Sequence, residues 1–395
     1  MPHKIFVIVF ATIVAVCGLP LILNSIVLYR ADEITGFPEM ANRLQNRFEI
    51  YGSALNGNDM KFKISLYRRR QSEVVAIGSS RMMQFREEAF RASFTNCGGV
   101  FSSLEHGEAF IDNLLKSDHL PQTALVGVDY WWFHKDYVGP PSQVLTMSTR
   151  EDILTRQKLL APFEWAFADK LSAGMYAGLL ISGRIENPTA RFPTTGVYAM
   201  RTSSGWRPDG SYLNTNAAFK TEQDYVTIRA DLADIRVGKV ERINLGVGDF
   251  VDPSRLDRFV RILRKLRDAG VKLVVMMPPV MFSYRAAAGE SAGNRSYIAP
   301  LATDLKTRSL AEGFEFYDFT ALEADDCEFL DGWHPGEIAN LRVLQSIAGR
   351  ANSVLNSVVD LHRVADGLRN GTGKSLWVLD GEKEMFKKTE YCAAL

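Results

Sequence analysis

The chain begins with an apolar run that constrains its topology more than any other feature. Residues 5–28 carry no charged side chain, and the run is closed by Arg30 and Asp32. A helix of roughly 20 apolar residues is enough to cross the hydrocarbon core of a bilayer. A cleavable signal peptide is the alternative, but its apolar region is usually about 7 to 15 residues and precedes a small-x-small site, which is missing here. We therefore predict an uncleaved, single-pass membrane anchor over residues 1–30.

The charges that flank this run are nearly balanced. Lys4 and the amino terminus lie before it and Arg30 lies after it, while the basic run Arg68 to Arg70 is too far along the chain to count toward orientation. We expect the protein in the cytoplasmic (inner) membrane, with its main body facing the periplasm or the cell exterior.

Composition excludes several classes of function. Of the 395 residues, 46% are apolar, which is enough for one large core or two modest ones. Lys plus Arg (46) equals Asp plus Glu (46), so no net field favours nucleic acid, and we expect no nucleic-acid partner. The chain has neither the paired Cys and His spacings of metal sites nor a dinucleotide-binding glycine motif. No metal or cofactor is expected.

Short apolar runs alternate with helical patterns through much of the chain. The predicted strands are Val74 to Ile77, an extended segment at Ser93 to Phe94, Ala124 to Val128, Val271 to Met277 and Phe314 to Phe319. Predicted helices start near Leu104, at Pro253 behind an Asp252 cap, near Leu301 and at Pro335. Strands that alternate with helices predict an α/β fold with a parallel sheet covered by helices on both faces.

Domain boundaries follow from the same pattern. We predict a juxtamembrane linker over residues 31–71, one α/β domain over 72–369, and a weakly specified tail over 370–395. Residues from about 139 to 247 lack regular alternation and are interpreted as an insertion or cap within that domain, long enough to act as a lid.

Three residues fit nucleophilic catalysis. Ser80 directly follows the first predicted strand, and the carboxyl ends of parallel strands are where reactive groups gather. A serine hydroxyl needs a nearby base, and His334 has Asp331 three residues before it in a loop ahead of the last helix. Chance occurrence of either motif is the alternative, but their order along the chain favours a Ser80–His334–Asp331 site.

The motifs resemble those of the SGNH, or GDSL-like, hydrolase family, over about residues 74–134 and 252–348. The first family block, a strand followed by Gly-Asp-Ser, corresponds to VVAIGSSR at Val74 to Arg81, with Ser80 at the nucleophile position. The second block corresponds to a turn at Asn96-Cys97-Gly98, whose Gly98 amide would help to form the oxyanion hole. The fifth block, Asp-x-x-His, corresponds to Asp331 to His334. The resemblance implies a flavodoxin-like parallel sheet.

Two departures from the family pattern bear on activity. Ser79 stands where most members have Asp, a variant found in membrane-anchored envelope proteins that assist O-acylation of glycans, including teichoic-acid D-alanyl transfer proteins. The third block lacks its asparagine donor, and Asp129 lies in the nearest stretch. An ionised Asp129 would repel an oxyanion. Either Arg81 offsets this charge, or Asp129 caps the strand end and points elsewhere.

Two further features have competing interpretations. Trp333, between Asp331 and His334, is the best candidate for an aromatic ring that lines the site, whereas Trp131 and Trp132 are better explained by core packing. Cys97 and Cys327 both lie near the proposed catalytic motifs, which leads to the hypothesis that they form a disulfide. Two buried free thiols are the alternative.

The residues and the resemblance together imply serine-dependent acyl transfer. The expected substrate is a cell-envelope or exported polysaccharide that gains or loses an acyl group, acetyl in the leading hypothesis. The resemblance also implies a multi-spanning membrane O-acyltransferase as a partner. A membrane-anchored esterase and a non-catalytic scaffold for that acyltransferase remain alternatives.

Overall fold

The computed structural model describes residues 2–55, 59–139, 155–185, 193–239, 246, 251–292, 296–379, 382 and 392. The chain divides into two compact units. The anchor unit comprises Met1–Asn58 and Ser148–Pro208, and the sheet unit comprises Asp59–Met147 and Asp209–Leu395.

Strands and helices alternate along much of the described chain. The strands are β1 (Ile50–Tyr51), β2 (Val74–Gly78), β3 (Phe94–Gly98), β4 (Thr123–Gly127), β5 (Thr194–Thr195), β6 (Gly205–Trp206), β7 (Tyr212–Leu213), β8 (Lys272–Met277) and β9 (Glu315–Asp318). The helices are α1 (Pro2–Arg30), α2 (Phe37–Asn46), α3 (Asp59–Arg70), α4 (Leu104–Leu114), α5 (Arg156–Phe167), α6 (Ala173–Ser182), α7 (Val197–Thr202), α8 (Thr215–Ala218), α9 (Glu222–Arg236), α10 (Pro253–Asp268), α11 (Phe282–Ala292), α12 (Ile298–Ala311), α13 (Glu337–Ala348) and α14 (Leu361–Gly371).

The sheet unit is built on five parallel strands in the order β3-β2-β4-β8-β9. In chain order this is the 2-1-3-4-5 arrangement of flavodoxin-like folds, in which ligands bind at the carboxyl edge where the strand order reverses. Here the reversal lies between β2 and β4. The loops that follow these two strands are therefore the expected place for a site.

Side chains alternate between the two faces of this sheet, and helices cover both faces. Val75 and Ile77 of β2 pack into a core with α4, α9, α10 and α12, whereas Val74 and Ala76 pack into a second core with α13 and α14. Because both faces are buried, β2 reads in the sequence as a continuous apolar run. The predicted α/β sheet with helices on both faces is confirmed.

Helix boundaries follow local cap chemistry. Asp252 caps α10 as predicted, since its carboxylate accepts the Ser254 backbone N–H at 2.9 Å. The prediction that Pro335 starts the last helix of the site region is wrong, because α13 begins at Glu337 behind Gly336. Pro335 pairs instead with Phe329 as an isolated bridge and belongs to the loop before the helix.

In the anchor unit, α1 contains the segment His3–Arg30, which is long and apolar enough to cross a membrane. The last turns of α1 pack against α5 and α6, where Val27 and Leu28 are fully buried. Asn24 is also buried: its amide donates to the Leu159 carbonyl at 2.8 Å and its carbonyl accepts the Tyr176 hydroxyl at 2.9 Å. These bonds satisfy the polar group that interrupts the apolar helix.

The structure redraws the predicted linker and the predicted insertion. The predicted linker at 31–71 contains α2, β1 and α3. Of the predicted insertion, α5 to α7 belong to the anchor unit, while α8 and α9 belong to the sheet unit.

The chain after residue 370 is packed rather than weakly specified, at least up to residue 379. Trp377 is buried, and its backbone N–H donates to the Glu337 carboxylate at 2.9 Å. The Glu337 N–H in turn donates to the Ser375 carbonyl at 2.7 Å. These contacts fasten the tail to the start of α13.

The predicted Cys97–Cys327 disulfide is wrong. Cys327 pairs with Cys392 in the tail. Cys97 is a buried free thiol on β3, and burial raises its pKa to about 12. Cys97 is buried in the core of the sheet unit, whereas Cys327 lies in a short 3-10 helix, Asp326–Glu328, where the tail reaches it.

Candidate active site

Ser80 lies at the carboxyl end of β2, the first strand of the sheet. It opens the short 3-10 helix Ser80–Met82, which Ser79 caps by accepting the Arg81 backbone N–H on its hydroxyl at 3.2 Å. A strand that turns directly into a helix presents this serine at the sheet edge, next to the point where the strand order reverses.

The structure brings the three predicted catalytic residues together. The Ser80 hydroxyl lies 2.7 Å from Nε2 of His334, although the two residues are 254 positions apart. On the other side of the ring, Nδ1 lies 2.7 and 2.8 Å from the two oxygens of Asp331. This geometry lets a neutral imidazole keep its proton on Nδ1 and accept the serine proton on Nε2.

Asp331 is held in place by its own loop as well as by the histidine. One carboxylate oxygen accepts the backbone N–H groups of Trp333 and His334, each at 2.9 Å. Burial would raise the pKa of Asp331, but the bonds from His334 and from the two amides outweigh it and lower the pKa. The carboxylate therefore stays ionised and orients the imidazole.

Arg81 connects four loops at the carboxyl edge. It is buried, and its guanidinium donates to the carbonyls of Trp333 at 3.0 Å, Pro278 at 2.6 Å and Pro279 at 2.8 Å. It also donates to Asp129 at 3.2 Å. These acceptors follow β4, β8 and β9, so the residue next to Ser80 joins the loops around it. The sequence did not indicate this role.

Asp129 is buried beside Arg81 and forms an ion pair with it, with both side chains 1% exposed. Of the two interpretations of Asp129, charge compensation by Arg81 fits the structure. The strand-end cap does not, because the Asp129 side chain makes no capping bond to the turn that follows. Burial raises the pKa of Asp129, while Arg81, Ser79 and His334 counteract part of that rise.

Asn96 and Gly98 are strand residues of β3 and not the predicted turn. The Gly98 N–H donates to the Asn96 side-chain carbonyl at 2.7 Å, so it is not directed at an oxyanion as the resemblance implied. The Asn96 amide donates to the carbonyls of Met82 and Phe85 at 2.9 and 2.7 Å. Asn96 therefore holds the segment after Ser80 against β3. Its side-chain amide and carbonyl are both used in these bonds.

Two glycines make room for the turn that carries Ser80. A Cβ on either Gly78 or Gly127 would collide with the side chain of Met82, which lies over the ends of β2 and β4. Met82 is fully buried. A side chain at either position would displace the 3-10 turn and the serine that opens it.

Trp333 borders a largely apolar cavity of about 300 Å³ at the carboxyl ends of β8 and β9. Its ring meets Tyr284 edge-on with centroids 5.5 Å apart. Tyr130, which follows Asp129, forms another part of the wall. Ser80 and His334 do not line this cavity. Trp333 therefore lies between the cavity and the loop that carries Asp331 and His334.

A second serine–histidine contact lies in the sheet unit, between Ser102 and Nδ1 of His106. It lacks the arrangement of the first pair: Nε2 of His106 is buried and has no hydrogen-bond partner among the described residues. Burial also lowers the pKa of His106. No carboxylate among the described residues accepts a hydrogen bond from the His106 ring. Substitutions at this pair can therefore serve as controls for substitutions at Ser80 and His334.

Among the described residues, the cluster that best approaches a set of metal ligands is Asp325 with Cys327 and Cys392. The two sulfurs of this cluster form a disulfide and are not thiolate ligands. These residues do not fit a metal centre.

No protein-family model matches the chain, and neither a curated protein nor a solved structure matches it significantly. The interpretation of the site therefore rests on its geometry and on the sequence motifs.

Proposed function

We propose that this protein is a membrane-anchored, serine-dependent acyl-transfer enzyme of the SGNH type. Its substrate would be a cell-envelope or exported glycan that gains or loses an acyl group, acetyl in the simplest case. The observation that carries the proposal is the continuous relay from Ser80 through His334 to Asp331, with bonds of 2.7 Å on both sides of the imidazole. Nucleophile, base and orienting carboxylate are the three parts that such chemistry needs.

The reaction would run in two halves. The Ser80 oxygen attacks the acyl carbonyl while Nε2 of His334 takes the hydroxyl proton, and the same proton then passes to the departing alcohol oxygen. The second half reverses these steps: an acceptor hydroxyl gives its proton to His334, forms the new ester and releases Ser80. Asp331 stays ionised throughout and steadies the imidazolium.

Oxyanion stabilisation would start from the Ser80 backbone N–H. This amide has no acceptor among the described residues, whereas the next N–H groups of the turn, those of Arg81 and Met82, are bonded to Ser79. Gly98 is occupied by Asn96, so a further donor would have to come from the substrate or from a local rearrangement. The Arg81–Asp129 pair adds little net charge near the reaction centre.

Two features support a location outside the cytosol. The apolar helix α1 is long enough to cross a membrane. The Cys327–Cys392 disulfide is typical of an oxidising compartment. A periplasmic or extracellular sheet unit anchored by α1 satisfies both, and it would meet envelope glycans directly. A multi-spanning membrane O-acyltransferase that delivers acyl groups would be a natural partner.

The occupied Gly98 amide gives the scaffold alternative some support, because loss of an oxyanion donor costs on the order of 100-fold or more in rate. A scaffold would keep the fold and recruit the acyltransferase without forming an acyl-enzyme. A plain esterase would form the acyl-enzyme and pass it to water.

A pre-steady-state burst assay separates these functions. The full chain in detergent is mixed with p-nitrophenyl acetate, and the release of p-nitrophenol is followed at early times. We expect a burst that Ser80→Ala abolishes and that Ser102→Ala, the matched variant at the second serine–histidine contact, leaves unchanged. Absence of a burst in the folded wild type would favour the scaffold.

Acceptor competition then distinguishes transferase from esterase. With a glycan acceptor present, a transferase should speed the decay of the acyl-enzyme and yield acetylated glycan. Decay at the same rate with and without glycan would identify water as the acceptor and refute transfer.

A further inference from the structure

We propose that the polar cavity at the end of α1 binds the phosphate headgroup of an anionic membrane lipid. This inference rests on α1 spanning a membrane and does not depend on the chemistry at Ser80. The cavity lies wholly within the anchor unit and has a volume of about 660 Å³. A headgroup phosphate with its glycerol fits well within such a volume.

The cavity is rich in basic and hydroxyl groups. Four arginines and two acidic residues face it, together with small polar side chains. The charged residues are Arg30, Asp32, Arg43, Arg47, Glu49 and Arg184. The excess of guanidinium groups makes the cavity a site for an anion, because planar guanidinium groups suit bidentate binding of phosphate.

The acidic residues are already neutralised by the chain. Asp32 forms an ion pair with Arg43 at 2.5 Å and accepts the Thr195 hydroxyl at 3.0 Å. Glu49 lies 3.8 Å from Arg47, whose side chain is 76% exposed. The carboxylates thus leave part of the basic charge unmatched.

Among the described residues, no carboxylate pairs with two of the guanidinium groups. Arg30 donates to the Ile181 carbonyl at 2.5 Å, and Arg184 forms no ion pair among the described residues. Both lie at the junction between the end of α1 and the end of α6. This junction is where an external anion would be most strongly attracted.

The length of α1 places this cavity at the level of the headgroups. Its apolar side chains are exposed near the start, as at Ile5 (60%), and as far along as Ile22 (59%), and the first buried side chain among those described is Asn24. About 20 residues cross the hydrocarbon core. Counted from Ile5, such a span ends at Asn24, and Arg30 lies about 9 Å further on at 1.5 Å per residue. Arginine side chains reach the headgroup layer over such a distance.

Exposed apolar side chains on α5 and α6, which pack against α1, point to a lipid rather than a soluble anion. Phe167 at the end of α5 is 90% exposed and Ile181 in α6 is 76% exposed. The backbone carbonyl of Ile181 accepts the Arg30 guanidinium, so an exposed apolar side chain and a cation lie at the same level. A membrane interface satisfies both at once, since it offers acyl chains beside phosphates.

The test measures lipid binding to the full chain in a neutral detergent. Dioctanoyl phosphatidylglycerol is titrated against the wild type, with dioctanoyl phosphatidylcholine and free glycerol phosphate as separate arms. We expect the anionic lipid to bind best. The double variant Arg30→Gln, Arg184→Gln should weaken it about tenfold or more, since each guanidinium would contribute a charge-assisted bond to the phosphate. Both side chains lie at the surface, so the variant should fold.

The matched control is Arg156→Gln, which removes a surface arginine of α5 that does not face the cavity. It should bind phosphatidylglycerol like the wild type. Equal affinity for the two lipids, or equal loss in both variants, would overturn the proposal. Glycerol phosphate binding as tightly as the lipid would assign the cavity to a soluble phosphate instead. Ser80→Ala should bind normally, so failure of the acyl-transfer proposal would leave this result unaffected.

Discussion

The contact between Arg81 and Asp129 predicts an asymmetry between two single substitutions. Both side chains are 1% exposed and lie 3.2 Å apart. Arg81→Met removes the cation and leaves Asp129 buried without its partner. Asp129→Asn leaves Arg81 with the carbonyls of Trp333, Pro278 and Pro279 as acceptors. The first substitution should therefore be more costly than the second.

The magnitudes follow from the burial of the pair. Breaking a buried ion pair by removing one partner costs about 3–5 kcal/mol. Losing one charge-assisted hydrogen bond, with other acceptors still in place, costs about 1.5–3 kcal/mol. We expect Arg81→Met to lower the free energy of unfolding of the sheet unit by the larger amount. The double variant should lose less than the two single losses added together.

Acid should partly rescue Arg81→Met. Burial already raises the pKa of Asp129, and loss of the arginine removes the main group that counteracts this rise. A carboxyl whose pKa is raised in the folded state binds its proton more tightly there, so stability falls as pH rises through that pKa. The deficit of the variant should therefore shrink as pH falls from about 7 toward about 4, where carboxyl groups take up protons.

Hydrogen exchange measured by mass spectrometry on the full chain gives the required free energies, because peptides from β2 and β4 report on the sheet unit separately from the anchor unit. Measurements at both pH values on the two single variants and the double variant complete the cycle. Equal, additive losses without pH dependence would refute the reasoning that Arg81 compensates a buried charge.

Other predictions follow from individual contacts of the structure. Asp331→Asn should lower the acyl-transfer rate by roughly 10³-fold or more with the fold retained, because the imidazole loses its orienting charge; steady-state kinetics with circular dichroism would check this. The Asp331 pKa is lowered, so its contribution to stability should be present above the normal carboxyl range and fade as pH falls below it, a loss absent in Asp331→Asn when pH-dependent unfolding is measured. Gly127→Ala should reduce the burst by pushing on Met82, whereas Gly289→Ala, where a Cβ meets no atom within 4 Å, should leave activity unchanged. Peptide mapping without reductant should recover a Cys327–Cys392 linked peptide, and Cys327→Ser should cost about 4 kcal/mol in the chain-entropy model of disulfides.

Much of the sheet could be predicted because its signals are local. The buried strand β2 is a run of branched apolar residues, and Asp252 caps α10 with its own side chain. The triad was also accessible, since Ser80 and His334 occupy loops at strand ends that a parallel sheet brings to one edge. Each of these inferences needs a few neighbouring residues and one topological rule.

The missed features depend on contacts between distant segments. Nothing near Arg81 in the sequence indicates that Pro278 and Trp333 would supply its acceptors. The Gly98 amide is bonded to the side chain of Asn96, two residues earlier in the extended strand β3. The sequence favoured a turn at this position and so did not predict that bond. The pairing of Cys327 with Cys392 likewise follows from packing of the tail. Long-range packing, and not local preference, decides such contacts.

The central claim is that Ser80 forms a covalent acyl-enzyme. Its most direct test is to mix the full chain with p-nitrophenyl acetate, quench in acid within the burst phase and map the acetyl group by peptide mass spectrometry. We predict acetylation of Ser80 that disappears in His334→Ala and persists in His106→Ala. Acetyl groups found on other residues, or on Ser80 to the same extent without His334, would contradict a histidine-activated nucleophile.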